Sequence, residues 1–384
     1  MVDKVKNSFR KIYENEAVIV VKSPGRINLI GEHTDYNGGL VLPAAIDKCM
    51  YFALAENDLN LGRIYAMDLD EKSIVYFDQL EKTETIWLNY IIGMLLEFKN
   101  LNFALKGFDC VFSSEIPIGA GMSSSAALEC GFAVGMDAII GSNLKKWQII
   151  DMSHHSNHSF MNIYGGILDQ FSLLFGQVGK CMLMNCKDRS FDFYNIDLLD
   201  YQVVLINTNV KHEHTLSEYN DRAEECKSIL SKVSKKYKEI ECISDVMIDN
   251  IDDITEGLEM TLKRRVKFIV EENNRVLQFI NAMERNDIIK LGDLLYQSHN
   301  GLQYLYEVSC PELDTLVDIT RDINVVIGSR MMGGGFGGCT INLIKSEIVE
   351  STVNYILDEY QLRTGIKAES FFVNISDGVE VIEL

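Results

Sequence analysis

Proline is scarce in this chain of 384 residues, only four in all, and no run of glycine, serine or proline forms a low-complexity linker between parts. Positive charge is also in short supply. Lys and Arg number 36 against 56 Asp and Glu, so the formal net charge is −20 and the mean surface field disfavours nucleic acid as a partner. Nine cysteines occur without a C-x-x-C pair and mostly in apolar runs, which argues for free thiols in a reducing compartment. No stretch of 18 residues is uninterruptedly apolar, which argues against a membrane-spanning helix. The opening residues, MVDKVKNSFRKIYENE, lack the apolar core and small-residue cleavage site of a secretion signal. The cytoplasm is the expected location.

What is present is a hydrophobic content of 47%, enough at this length for two compact domains. Because the overall field repels anions, any nucleotide site must supply positive potential locally, from oriented backbone N–H groups, a helix N-terminus or a metal. Strand-like runs appear at 18–21, 73–78 and 108–117, with a break predicted at Ser-Pro-Gly-Arg (23–26). Residues 87–99 carry helical spacing, and a helix apolar on several sides follows the Gly and Ser stretch at 119–125. Two further strands fall between 181 and 210. Beyond them the chain turns helical and charged, and it closes with a helix at 346–360 and a strand near 370. The mixture predicts an α+β protein with a boundary near residue 198, giving parts 1–198 and 199–384 that pack closely around a cleft.

Three segments carry chemistry. In PIGAGMSSSAALE (117–129), glycines permit close backbone approach and three serines open a helix, which suits a phosphate. No Gly-Lys-Ser/Thr ends it, so it is not a Walker loop, and a serine-capped helix after a turn is the alternative. SPGRINLIGEHTDYNGG (23–39) gathers Arg26, Glu32, His33, Asp35 and Tyr36 around turn glycines. Carboxylates there could accept paired hydroxyl donors, although an ordinary hairpin turned at Asn37-Gly38 has the same spacing. SRMMGGGFGGCTI (329–341) reads as a glycine turn before a strand, either a fixed turn against another backbone or a flexible loop.

Together the three segments resemble the three motifs of the GHMP small-molecule kinases, and GRINLIGEHTDYNGG is similar to the hallmark of the galactokinases. GGILDQF (165–171), NTNVKHEHTLSEYN (207–220) and YEVSCPELD (306–314) follow in the same order, so the resemblance spans nearly the whole chain. It implies the two-domain GHMP kinase fold with the active site in the cleft between N- and C-terminal domains. It also implies ATP-dependent phosphorylation of galactose at the anomeric C1 hydroxyl, giving galactose 1-phosphate and ADP.

By the same resemblance Asp169 is the base and Arg26 the charge stabiliser. Glu32, His33, Thr34, Asp35, Gly166 and Tyr219 bind the sugar. Gly119, Ala120, Gly121, Met122, Ser123, Ser124 and Ser125 hold the nucleotide, Ser125 is a ligand of Mg²⁺, and Gly333, Gly334 and Gly335 brace the site. The partners implied are a small sugar and ATP, and the working unit a monomer. Within the class, N-acetylgalactosamine or another hexose is the rival substrate. Outside it, the rival is a catalytically weak sugar sensor, against which the intact SSSAALE loop argues.

Two positions depart from the pattern. The second metal-ligating residue of the family, a glutamate twelve residues before the base, is Asn157 here. Asn185-Cys186-Lys187 stands where Asp-Cys-Arg is commoner. His154 and His158 lie one helical turn apart, as zinc ligands can, but no glutamate accompanies them as in H-E-x-x-H, and packed or solvated rings are the preferred reading.

Overall fold

The protein is described by a computed structural model over residues 1–210 and 215–384; residues 211–214, part of the segment 207–220, lie outside the described residues. A six-stranded sheet organises the first half, in the order Glu380–Glu383, Ile19–Asn28, Pro43–Glu56, Phe108–Ser114, Leu61–Ala66, Glu71–Tyr76. Every neighbouring pair is antiparallel except Leu61–Ala66 with Phe108–Ser114, which is parallel. Side chains alternate across a strand, and both faces here are covered. Val20, Ala53 and Val111 meet Val5 and Phe9 of the helix Val2–Tyr13. Val21, Phe52, Leu54 and Phe112 face the main core with the helices Ile86–Asn100 and Ser124–Ile140.

A second, four-stranded antiparallel sheet runs Val326–Met331, Cys339–Lys345, Tyr201–Asn207, Glu369–Phe372. On one face Val204, Ile206 and Ile344 pack on the helices Pro311–Arg321 and Val349–Thr364. On the other, Val203, Leu205, Ile341 and Leu343 join the same core that fills the first half, together with Leu291 and Leu294 of the helix Ile288–Gly301. The halves therefore share one apolar interior. The last strand, Glu380–Glu383, returns to the edge of the first sheet, so the chain after residue 198 contributes to both sheets. Among the described residues no helix is long and apolar enough to cross a membrane.

The break expected at residues 23–26 is a bulge instead. Strand Ile19–Asn28 runs through it, and its register against Pro43–Glu56 shifts between Pro24 and Arg26. Pro24 has no N–H to donate to a ladder. Beyond the bulge Arg26 N donates to Met122 O at 3.1 Å, so the strand grips the phosphate-type loop and not only its neighbouring strand.

The helix that follows this loop lies close on the sheet because small residues face it. A Cβ at Gly131 would overlap the Phe52 ring and come within 2.7 Å of Ser23 Cβ, and one at Gly135 would reach Leu54 Cδ1 at 2.8 Å. Gly131→Ala is expected to overpack this contact and lower stability by about 1–3 kcal/mol. Urea denaturation of both forms measures it, and an unchanged midpoint would contradict the close packing.

Candidate active site

The polar run after strand Ile19–Asn28 folds as a tight turn held by its own backbone. Thr34 O accepts from Asn37 N at 3.0 Å and from Gly39 N at 2.8 Å, and Asn37 Nδ2 donates to His33 O at 2.8 Å. Thr34, expected among the sugar ligands, is turned inward. It is buried, and its hydroxyl donates to Gly31 O (2.9 Å) and Leu40 O (2.7 Å), closing the turn. Glu32 points across the halves. Its Oε1 accepts from both terminal nitrogens of Arg330 at 3.2 Å and from Gly333 N at 2.9 Å, which ties the turn to the start of the third glycine segment.

Between the halves lies a cavity of about 160 Å³, into which Arg26, Glu32, His33, Asp35, Ser125, Asn157, Gly166, Asp169, Tyr219, Gly333 and Gly334 converge from distant parts of the chain. Asp169, half-buried in the first turn of helix Leu168–Phe175, accepts from Arg26 Nε at 2.8 Å. The Arg26 guanidinium also donates to Gly121 O, which links the base position to the phosphate-type loop. Gly166 has a steric reason to be glycine, since a Cβ there would collide with the Asp35 carboxylate. Burial, and then the charge of Asp169, push the Asp35 carboxyl up to about 7. Tyr219 comes from helix Thr215–Lys236. Its neighbour Asn220 anchors that helix by accepting from Tyr164 N (3.0 Å) and donating to Asn162 O (2.9 Å).

Beside this cavity the loop 117–125 turns through Gly119, Gly121 and Ser123, all in the left-handed region, into the N-terminus of helix Ser124–Ile140. Ala120 and Met122 are buried, and the Ser123 hydroxyl has no protein partner. Gly119 to Ser124 do not line the sugar-sized cavity, and Gly335 stands behind it against the Val308 carbonyl. Ser124 and Ser125 instead open onto a groove of about 670 Å³ walled by Trp87, Tyr90, Phe112, Ile116, Ile118 and Leu128.

Asn157 begins a π-helical turn, Asn157–Met161, that continues helix Lys146–Ser156. Its Nδ2 donates to Glu129 Oε2 at 3.1 Å, while its buried Oδ1 has no protein partner. Glu129 also accepts from Ser153 Oγ at 2.6 Å, and burial pushes its carboxyl up to about 8. The imidazoles of His154 and His158 both donate to Gly165 O, at 3.2 and 2.9 Å, and so brace the loop that presents Gly166 and Asp169. His155 pairs with Glu97 at 2.8 Å. The Asn185-Cys186-Lys187 departure also has a structural account. Cys186 N donates to Gly39 O at 2.9 Å, and Lys187 Nζ bridges to Asp245 (2.9 Å) and Glu241 (3.1 Å).

Sequence reasoning passed over Arg330, Glu129 and the aromatic pair Trp87 and Tyr90. Arg330 alone had a visible signal, a lone cation inside an apolar strand ahead of the glycine turn; a buried arginine demands carboxylate and carbonyl partners.

Comparisons with known proteins bear on the family of the chain. Residues 7–56 match the galactokinase galactose-binding signature, residues 89–177 the N-terminal domain of GHMP kinases and residues 279–356 their C-terminal domain. The chain is 39% identical to the galactokinase of Thermosipho africanus over 363 residues, which cover 94% of this chain and 99% of that protein. It is 36% identical to the galactokinase of Bacillus subtilis over the full length of both. The crystal structure of Lactococcus lactis galactokinase complexed with galactose superposes with a TM-score of 0.94 at 31% identity, covering 98% of this chain and 99% of that one. The Methanococcus jannaschii mevalonate kinase shares the fold at a TM-score of 0.61 and 18% identity. The α+β organisation, the cleft between its halves and these full-length likenesses together make the chain a member of the galactokinase family of GHMP kinases, an ATP-dependent sugar kinase.

Proposed function

We propose that the protein transfers the γ-phosphoryl group of ATP to the anomeric C1 hydroxyl of galactose, with Asp169 as proton acceptor and Arg26 as charge stabiliser. The observation that carries this assignment is the 2.8 Å Arg26–Asp169 pair at the wall of a sugar-sized cavity whose neighbouring loop is a helix N-terminus. An anomeric hydroxyl becomes an adequate nucleophile when a carboxylate accepts its proton. A guanidinium beside that carboxylate keeps it ionised and offsets charge developing on the transferred group. Glu32, His33, Asp35, Gly166 and Tyr219 surround the hexose. The phosphates lie along 119–125, where backbone N–H groups and the helix end favour anions. The apolar groove walled by Trp87 and Tyr90 takes the adenine base, because it opens at Ser124 and Ser125 where the phosphates begin. The glycines 333–335 brace the cavity, and the two halves meet near residue 198.

The residues present fit Mg²⁺. Ser125 lines the cavity, Asn157 Oδ1 is an unpartnered buried acceptor, and hard oxygen donors of this kind suit the ion. When bound with ATP, the ion neutralises phosphate charge. Glu129 holds the Asn157 amide by its nitrogen and so turns the oxygen outward. The same proposal takes the protein as a monomer that works in the cytoplasm on a sugar and ATP.

Asp169→Asn is expected to bind galactose within about threefold of wild type while losing at least about 10²-fold in kcat. Calorimetry and sugar-stimulated ADP release over a hexose panel give both numbers, and full turnover by the variant would overturn the assignment of the base.

Asp35 sets a pH dependence. It is crowded by Asp169, Glu32, Tyr219 and Cys186, and its carboxyl is held near 7, so below that pH it is protonated and accepts sugar hydroxyls less well. The KM for galactose is expected to fall about tenfold per unit as pH rises towards 7 and to level off above it. Asp35→Asn removes that slope; a KM profile flat from pH 5.5 to 7 in wild type would contradict the reading.

Asn157→Glu is expected to lower the Mg²⁺ concentration for half-maximal activity several-fold. The gain stays well below the about 4 kcal/mol of a unit charge pair at 4 Å and an effective dielectric of 20, because the new carboxylate is partly desolvated beside the buried Glu129 carboxyl. An unchanged Mg²⁺ titration would mean that residue 157 does not face the ion.

A further inference from the structure

His33 is the one histidine on the wall of the sugar cavity that comes from the Glu-His-x-Asp turn, and its ring is wired into the protein behind it. Nδ1 lies 2.7 Å from Tyr36 Oη, which lies 2.9 Å from Tyr306 Oη, which lies 3.2 Å from Cys226 Sγ. The four groups come from the sugar turn, from the π-helical turn Leu302–Tyr306 and from helix Thr215–Lys236. All are enclosed. Tyr306 is fully buried, Cys226 is 3% exposed and His33 4%. The other ring nitrogen of His33, Nε2, is buried with no protein partner.

Four groups in a row with one mobile proton each leave one proton outside the three hydrogen bonds, so the consistent arrangements are four and differ in which group keeps it. Burial, and then the charge of Arg222, lower the His33 imidazole to about 3, so the ring is neutral and carries one proton. Burial likewise raises both phenols and the thiol, so each remains a proton carrier at neutral pH. If the proton sat on Nδ1, either Tyr306 would donate to a thiol sulfur, a weak acceptor, or one phenol hydrogen would be left without an acceptor in the chain. If it sits on Nε2, the thiol donates to Tyr306, Tyr306 to Tyr36 and Tyr36 to Nδ1, a strong imidazole acceptor.

We propose that Tyr36, Tyr306 and Cys226 are positioning residues that lock His33 as the neutral imidazole with its proton on Nε2, so that the cavity presents a donor there and requires a sugar oxygen with a free lone pair. The proposal rests on the assignment of this cavity to the sugar, but the tautomer can be read without turnover. A tautomer set by a neighbour's hydrogen bond is a general property of buried histidines. Here that neighbour is itself oriented by two residues outside the cavity.

The test is histidine side-chain ¹⁵N NMR of the full chain between pH 6 and 8, with the His33 signal identified by its loss in His33→Gln. Wild type is expected to show a single tautomer protonated on Nε2. Tyr36→Phe is expected to show a mixture of tautomers with KM for galactose raised about three- to tenfold and kcat within twofold. Tyr306→Phe should act in the same direction, and Cys226→Ser, which keeps a hydroxyl donor, should behave as wild type. A proton on Nδ1 in wild type overturns the proposal even if a variant fails to fold. So does a Tyr36→Phe protein with unchanged tautomer and KM. An Nε2-protonated His33 in a protein that does not phosphorylate galactose would support the relay and overturn the sugar assignment instead.

Discussion

The buried pair of Glu32 and Arg330 is the interaction on which the geometry of the cleft depends. Arg330 is fully buried and has no water to solvate its charge. It is satisfied by Glu32 Oε1, by the carbonyls of Leu29 and Met331 and by that of Asn28. Losing either partner of such a pair leaves an uncompensated buried charge, worth about 3–5 kcal/mol. Its structural effect is registry. Glu32 opens the sugar turn and Arg330 stands just ahead of the third glycine segment, so one carboxylate sets how far apart the two sides of the cleft lie. The 2.9 Å bond from Gly333 N to the same oxygen repeats the constraint on the backbone.

On that frame the charges divide by what they meet. Glu32, Asp35 and Asp169 line the cavity that we propose holds the sugar, and Arg26 is a cation facing Asp169. The crowding of acids appears in Asp35, whose carboxyl is raised by burial and by Asp169. Positive potential for an anion lies elsewhere, at the end of helix Ser124–Ile140, where backbone dipoles supply it without a lysine. In the function we propose, this separation is what allows a protein of net charge −20 to hold a triphosphate beside an acid-lined cavity.

Two wide helical turns place side chains that regular helices would direct elsewhere. Asn157–Met161 follows helix Lys146–Ser156 and carries Asn157 and His158, and Leu302–Tyr306 follows helix Ile288–Gly301 and carries Tyr306. Each ends in a left-handed residue, Asn162 or Glu307. Such turns recur at functional sites because one extra residue rotates everything beyond it. Here they aim an amide towards the phosphate side and a phenol towards the back of His33.

Local pattern was enough to read the motifs. Alternating and helical spacing showed the α+β mixture, and the resemblance carried by 23–39, 117–129 and 165–171 named the family and pointed to Arg26 and Asp169, because those residue types at those intervals answer to local backbone and chemical needs. Thr34 was misread for the same reason, since a hydroxyl beside three sugar-facing residues looks alike in sequence whether it points out or closes its own turn. Only the tertiary structure brought Arg330 to Glu32, Glu129 to Asn157, Trp87 to Ser125, and Cys226 and Tyr306 to His33. Those partners lie up to about 300 positions apart in the chain, and their encounter is decided by which faces share the common core, a property of packing that no local interval records.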